Sequence, residues 1–352
     1  MRFTDFVAAS LTLGGLSAAA PTRYTNETES LYKAMEKRGR SFIGTALTIR
    51  NETIEETIIQ QDFNSITPEN AMKWESTEPS QANFTFDGAD QIAAFATRNE
   101  LQLHCHTLVW HSQLPAWVSQ GGFDNATLIQ VMEDHIAAVA GRYKDVCTRW
   151  DVVNEALNED GTYRESVWYN TIGEAFLPIA FSLAAKYAPD TQLFYNDYNI
   201  DLNGAKTDGA RRIVELIQSY GVRIDGVGYQ AHFTQEATPT APGPLPEQPD
   251  LIEALEKTAS LGVEVAYTEI DIRMNTPATA EKLEVQAGIY ERVAGACLAV
   301  ESCIGMTVWG ISDKYSWIPE TFPGEGAANV WGESYEKKPA YTGFLAGING
   351  EA

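Results

Sequence analysis

Cationic side chains, histidine and cysteine are all scarce in this chain. Lys and Arg total 25 against 48 Asp and Glu, a formal net charge of −23, and the 352 residues include only 5 His and 4 Cys. A nucleic-acid-binding face draws most of its affinity from clustered Lys and Arg, so this composition excludes nucleic acid as a partner and disfavours anionic membrane surfaces. No Cys-x-x-Cys spacing is present, which removes the usual frame of a thiolate metal site. There is no internal repeat, no Ser/Thr-rich linker to a second module, and no stretch long and apolar enough to span a bilayer. What is abundant is core material: 44% hydrophobic residues with 11% aromatics exclude intrinsic disorder and suffice for one large domain.

The N-terminus carries Arg2, an apolar stretch around Phe6 to Leu16, and then Ser17-Ala18-Ala19-Ala20 before Pro21. That order reads as a secretory signal peptide over residues 1–20, removed after Ala19 or Ala20, which makes the protein extracellular and leaves 21–352 as a single domain. Asn-x-Ser/Thr sequons at Asn26, Asn51, Asn83 and Asn125 are compatible with N-glycosylation in that route. Four cysteines in an exported protein suggest two disulfides. Cys297 and Cys303 flank a short turn and pair most simply. Cys105 and Cys147 then remain, each near the start of an apolar β-like run, where neighbouring parallel strands bring them within bridging range.

Along the chain, short β-branched and aromatic runs alternate with amphipathic helices. The predicted strands are Ser41 to Leu47, Phe63 to Thr67, Gln102 to Trp110, Thr148 to Glu155, Gln192 to Asn199, Gly226 to Phe233, Val263 to Ile272 and Gly305 to Ile311. Between them, apolar residues recur three or four apart, as in Leu128, Met132, Ile136, Val139, Tyr143 and in Ala210, Ile213, Val214, Ile217, Tyr220. The proline cluster from Pro239 to Pro249 reads as a long loop. Eight alternations fit an α/β fold of the closed (β/α)₈ TIM-barrel type. An open doubly wound sheet fits less well, because no Gly-x-Gly-x-x-Gly turn follows the first strand and the polar and aromatic residues gather at the C-terminal ends of many strands.

Two apolar strands end in acids: Trp150-Asp151-Val152-Val153-Asn154-Glu155 and Tyr267-Thr268-Glu269-Ile270-Asp271. Hydrolysis of a glycosidic bond needs such a pair, one carboxyl protonated toward the leaving oxygen and one ionised toward the sugar. Singly, each acid is best read as a solvated or ion-paired residue. Their neighbours change that weighing: Pro68-Glu69-Asn70-Ala71-Met72-Lys73-Trp74, the run CHTLVWHSQLP from Cys105, WDVVNEAL, Gln230-Ala231-His232, TEIDIR and TVWGISD. From about Lys33 to the C-terminus the chain resembles the endo-β-1,4-xylanases of glycoside hydrolase family 10, of the secreted fungal type with a catalytic domain alone.

The resemblance implies a retaining hydrolysis of internal β-1,4 linkages in xylan, with Glu155 as acid/base, Glu269 as nucleophile and Asn154 on the sugar's 2-hydroxyl. It implies that His232 bonds Glu269 while Asp271 holds the imidazole; residues 269 and 271 share one strand face, as do Gln230 and His232. Asn70, Lys73, His106, Trp110 and Gln113 match the glycone side of the cleft, Gln230 its floor, and Trp309 and Trp317 its aromatic walls. His106 and Trp110 point the same way if the strand is regular that far. On burial frequencies, roughly half of the 8 tryptophans belong to the core. Cys105 stands where the family usually has glycine, and Ile318 where an arginine is frequent.

A metal-dependent barrel hydrolase using His104 and His106, with His111 nearby, is the alternative from another class. Such a site needs further histidines and an acid on later strands, and His135 falls in a helix where solvent exposure is expected. A carbohydrate-binding protein without activity is disfavoured because Glu155, Glu269, His232 and Asp271 are all present. Within the family, another β-glycoside such as a plant saponin remains the competing substrate. No cofactor or metal is expected, and the enzyme is expected to be a monomer acting on xylan.

Overall fold

Parallel strands here cannot be joined by tight hairpins, so each must return through a crossover, and the crossovers are the amphipathic helices. In a computed structural model, which describes residues 29–50, 52–241 and 245–350, these units close into a ring. The strands are β1 (Phe42–Leu47), β2 (Ser65–Pro68), β3 (Gln102–Val109), β4 (Cys147–Asn154), β5 (Gln192–Asp197), β6 (Gly226–Tyr229), β7 (His232–Thr234), β8 (Glu264–Asn275) and β9 (Cys303–Val308), with the two-residue β10 (Glu325–Gly326) outside the ring. Each pairs in parallel with its neighbour, and the ring shuts where β9 pairs with both β8 and β1. The fold is the (β/α)₈ barrel.

The expected sixth strand, Gly226 to Phe233, is two pieces. Gln230 and the left-handed Ala231 (φ 62°) interrupt it, and β6 and β7 then pair separately with successive stretches of β8. Several strands also end earlier than the apolar runs suggest. Asn199 (φ 54°) lies beyond the end of β5, Gly310 (φ 106°) turns the chain after β9, and Glu155 (φ 56°) lies just past β4. Phe63 is the C-cap of the helix Thr53–Asp62, so β2 starts at Ser65. Conversely, β8 runs three residues past Ile272, because Met274 and Asn275 pair with β10.

Apolar side chains fill both layers. Between strands and helices, the helix Asn125–Tyr143 buries Leu128, Met132, Ile136, Val139 and Tyr143, and Ala205–Ser219 buries Ala210, Ile213, Val214 and Ile217. Tyr220 ends that second stripe as a C-cap and is exposed. Inside the ring, Phe42, Phe194 and Ala266 pack together, with the buried Arg149 guanidinium 3.9 Å from the centre of the Phe42 ring.

His135 is fully buried, not solvent-facing as expected. It shares the inner face of its helix with Met132, Ile136 and Val139, its Nδ1 lies 2.9 Å from Glu78 Oε2, and its ring stacks on Trp74 with centroids 3.5 Å apart. The short helix Trp74–Thr77 after β2, with its C-cap Glu78, supplies both partners, which the pattern of the helix carrying His135 does not reveal.

The disulfides are Cys105–Cys147, joining β3 to β4 with Cα atoms 5.8 Å apart, and Cys297–Cys303, joining the end of the helix Ala280–Ala299 to β9 with Cα atoms 5.3 Å apart. Asn83 and Asn125 are exposed. Asn26, Asn51, the expected signal peptide and part of the proline loop, Pro242 and Pro244, lie outside the described residues. Among the described residues, no helix is long and apolar enough to cross a membrane.

The bridge between β3 and β4 closes a loop of sequence separation 42. Loop-closure entropy of that size is worth about 4 kcal/mol. The double variant Cys105→Ala/Cys147→Ala is therefore expected to unfold at clearly lower denaturant concentration than the parent, with a somewhat larger m-value because the unfolded chain is freer to expand. Equilibrium unfolding followed by tryptophan fluorescence measures this; an unmoved midpoint contradicts it.

Candidate active site

A barrel of parallel strands presents all its C-terminal strand ends on one face, and side chains there are close together although far apart in sequence. On that face lies a cleft of about 950 Å³, and Asn70, Lys73, His106, Trp110, Gln113, Asn154, Glu155, Gln230, His232, Glu269, Trp309 and Trp317 all line it. Asp271 does not; it is fully buried behind His232.

Glu269 is 5% exposed and is contacted from two other staves. Asn196 Nδ2, from β5, donates to Oε1 at 2.8 Å, and His232 Nε2, from β7, lies 3.1 Å from Oε2. Nδ1 of the same imidazole is 3.0 Å from Asp271 Oδ1, an ion-pair contact off the line of a good hydrogen bond. Trp317 Nε1 donates to the other oxygen of Asp271 at 2.8 Å. Burial alone raises a carboxyl's pKa; at Glu269 the hydrogen bond from His232 and the nearby His106 and His232 imidazoles outweigh it and hold the group below the ordinary value. His232 is the converse: burial disfavours its cation, but Asp271 and Glu269 more than offset that and push its pKa up to about 10.

Glu155 follows the last residue of β4 in the left-handed region. Its N–H donates to Asn196 O at 2.9 Å, and the turn aims its side chain across the cleft, where Trp110 Nε1 donates to Oε2 at 2.9 Å and Gln230 Nε2 to Oε1 at 3.0 Å. The Asn154 carboxamide lies 3.0 Å from Asn196 Nδ2 and 3.3 Å from Gln230 Nε2, between the two acids. On another side of the cleft, Lys73 Nζ donates to Gln113 Oε1 at 2.6 Å and Asn70 Oδ1 at 3.0 Å, and sits 4.9 Å from the centre of the Trp110 ring. Burial lowers the pKa of this ammonium, against the pull of Glu269, Glu155 and Glu69. Trp309 meets the rings of His106 and His232 edge-on at 5.6 and 6.3 Å.

The pairing of β3 with β4 slips between His106 and Val109, so His106 and Trp110 are not joined by a regular strand, yet both face the cleft. His104 and His106 do not converge on one point. Each holds one oxygen of the buried Asp151, His104 Nε2 at 2.9 Å and His106 Nδ1 at 2.8 Å, and these two imidazoles draw the Asp151 pKa far below the carboxylate range against the effect of burial. His111 lies behind Glu155, beside Arg164. Among the described residues, no group of three or more His, Cys, Asp or Glu is arranged to hold a metal ion. Ile318 is fully buried at the start of the helix Ile318–Thr321. Trp74, Trp150, Trp168 and Trp331 belong to the core.

Two residues central to this geometry have no role assigned to them from sequence. Asn196 touches Glu269, Asn154 and, through its Oδ1, Thr268 Oγ1 at 2.6 Å. Its only sequence signal is a lone amide in the apolar run Leu193-Phe194-Tyr195. Gly228 leaves the space it needs, since a Cβ there would stand 2.3 Å from Asn196 Oδ1. Asp151 is the second; its signal is an acid in a strand otherwise buried on both sides.

Comparison with known proteins gives the family. Residues 30–346 match the model of glycosyl hydrolase family 10. The chain is 60% identical to "Endo-1,4-beta-xylanase 2" of Aureobasidium pullulans, over 99% of this chain and 98% of that protein. It is 57% identical to "Endo-1,4-beta-xylanase A" of Fusarium oxysporum f. sp. lycopersici, over 91% and 98%. Among solved structures, the endo-1,4-β-xylanase XylE of Penicillium canescens superposes with a TM-score of 0.87 at 35% identity, covering 92% of this chain and 98% of that one. A family 10 xylanase of Bispora sp. with xylobiose gives 0.86 at 35% identity, covering 91% and 100%. The chain belongs to glycosyl hydrolase family 10.

Proposed function

We propose that this is a secreted, monomeric endo-1,4-β-xylanase that hydrolyses internal xylosidic bonds of xylan with retention, using Glu269 as nucleophile and Glu155 as acid/base. The observation that carries the reading is the unequal treatment of two carboxyls in one cleft. Glu269 is offered a cation and an amide donor, which suits an anion that must attack. Glu155 meets only the neutral donors Trp110 and Gln230, and is free to carry a proton toward a leaving oxygen. The names of the relatives and the xylobiose complex of a structural neighbour support xylan as substrate.

In the first step, a Glu269 oxygen bonds to the anomeric carbon as the bond to the leaving sugar breaks, and Glu155 gives its proton to that sugar's oxygen. In the second step, Glu155 takes a proton from water, the water oxygen bonds to the anomeric carbon, and Glu269 leaves. Asn154, held between the acids, is placed for the 2-hydroxyl, and Trp309 and Trp317 offer flat faces to the apolar side of xylose. A volume of about 950 Å³ has room for more than one sugar unit, as cleavage inside a polymer requires.

Glu269→Ala is expected to lower xylan turnover by at least about 10⁴-fold. With an activated aryl xylobioside, azide then restores product as the α-configured glycosyl azide. The same additive on Glu155→Ala gives the β-configured azide. Product analysis on xylan, β-glucan and a saponin, with the anomeric proton followed early by NMR, fixes substrate and stereochemistry together. Retained activity in Glu269→Ala, or an initial α-anomer, contradicts the proposal.

The His232 cation has a consequence for pH. Its folded pKa, about 10, lies above the unfolded 6.5, so the stability it contributes is complete below the lower value and is lost as pH rises through the upper one. Thermal unfolding between about pH 7 and about pH 10 is therefore expected to show a progressive fall in Tm. In Asp271→Asn the fall begins at the same pH but is smaller and ends at lower pH, because one of the two anions that raise the folded value is gone. A Tm profile that is the same in both proteins contradicts this assignment.

A further inference from the structure

β5 carries two rows of side chains, and only one row faces the cleft. Asn196 projects inward to Glu269, while Tyr195 and Asp197, one residue to either side, share the opposite face. Tyr195 is completely buried, and its hydroxyl belongs to a chain of polar contacts that runs through the buried Asp197 and Lys206. The N–H of Ala156, the peptide that follows Glu155, donates to Tyr195 Oη at 3.2 Å, and the hydroxyl in turn donates to Asp197 Oδ2. Asp197 Oδ1 accepts from Tyr198 N at 2.9 Å and lies 3.2 Å from Lys206 Nζ, and the same ammonium lies 3.0 Å from Glu159 Oε1. Lys206 is 3% exposed, so this is a buried ion pair and not a surface contact.

The chain matters because of where it ends. Glu155 stands in a left-handed conformation that only glycine adopts readily, and nothing in a Glu side chain favours it. Three contacts hold the two peptides flanking its Cα: its own N–H on Asn196 O at 2.9 Å, its carbonyl on Arg164 Nε at 3.1 Å, and the next N–H on Tyr195 Oη. The first two come from a backbone and from a half-buried arginine on the same loop. The third alone ties this turn to a side chain of a neighbouring stave, and that side chain is itself fixed by Asp197 and Lys206. A rotation of the Glu155 peptide planes swings its carboxyl at the end of a long lever, so a small error at the backbone becomes a large one at the proton.

We propose that Tyr195, held by Asp197 and Lys206, is a positioning residue for proton donation: it fixes the backbone turn that aims Glu155 at the glycosidic oxygen. It touches neither substrate nor Glu269, and its effect passes through Glu155 alone. The inference rests on the reading of Glu155 as the acid, and it adds a residue that the strand pattern leaves without a role.

The test compares Tyr195→Phe, Asp197→Asn, Glu155→Ala and the parent on aryl xylobiosides whose leaving groups run from dinitrophenyl, which needs no proton, to phenyl, which does. The quantity read is kcat/KM, which reports the step in which the leaving group departs. Tyr195→Phe is expected to lose about tenfold on the phenyl substrate and less than about twofold on the dinitrophenyl one, a weaker copy of the pattern in Glu155→Ala. A general loss of folded enzyme lowers both substrates equally. Asp197→Asn keeps the tyrosine and its shape, weakens the acceptor that orients the hydroxyl, and gives the same skew to a smaller degree, so the proposal stands testable if Tyr195→Phe does not fold. A steep dependence in Glu155→Ala with a flat one in both other variants overturns this inference and leaves the acid assignment standing. A flat dependence in Glu155→Ala overturns both.

Discussion

A carboxylate that is to attack carbon must be ionised and nearly dry, and a buried, unpaired anion is costly enough that it takes up a proton instead. On the proposed reading of Glu269 as nucleophile, compensation of its charge is the constraint around which the catalytic face is built. A surface partner would not serve, because solvent screening leaves such a pair worth little. The partner here is the His232 imidazolium, kept charged by a second, fully buried acid, Asp271. That second acid needs a donor of its own, and Trp317 supplies it from the loop after β9. One charge requirement thus enlists β5, β7, β8 and the last loop, and it is met only when the ring is closed.

The same requirement accounts for the break in the sixth stave. Were β6 to continue unbroken through Gln230 and Ala231, the strict alternation of a strand would fix every side chain to one face or the other. The left-handed Ala231 resets the chain so that Gln230 reaches Glu155 and His232 reaches Glu269, two residues apart yet serving different acids. β7 then rejoins β8 in a new register, with His232 opposite Asp271. Strain of this kind is kept where it orients a functional group, and Glu155 is the second instance.

Legibility in the sequence follows from this division of labour. The alternation of strands and helices is a hydrophobic pattern, so the barrel and nearly every stave are readable from it. Strand ends are not, because they are set by backbone turns at Glu155, Asn199 and Ala231, residues whose identity does not announce a positive φ. The lining residues were legible because they sit in long strings that resemble a family, and single acids in a chain with 48 of them carried no such mark. Asn196 and Asp151 show the limit. Each serves other side chains and lies within an apolar strand, and only the folded ring brings it to the groups it holds. His135 shows the opposite failure: its helical spacing placed it on the buried face, but its polarity argued for solvent, and only the fold brings Glu78 to its Nδ1 and Trp74 against its ring.

Acids such as Glu69 and Glu320 line the cleft directly, and the cations beside them are already paired. Arg50 is 3.3 Å from Glu69, Arg273 is 2.7 Å from the buried Glu325, and Lys314 is 2.6 Å from Glu52. Lys73 is occupied by the amide oxygens of Asn70 and Gln113. Each cation is committed within the protein, and a polyanion entering the cleft would have to break an existing pair to gain a new one. A neutral hydroxylated chain faces no such exchange. It can take hydrogen bonds from amides and imidazoles and lie against Trp309 and Trp317 while the ion pairs stay intact, so the wall that orients the acids need not move when substrate binds. In the proposed mechanism, preorganisation of that kind lets the charges at Glu155 and Glu269 act without reorganisation at the moment of bond cleavage.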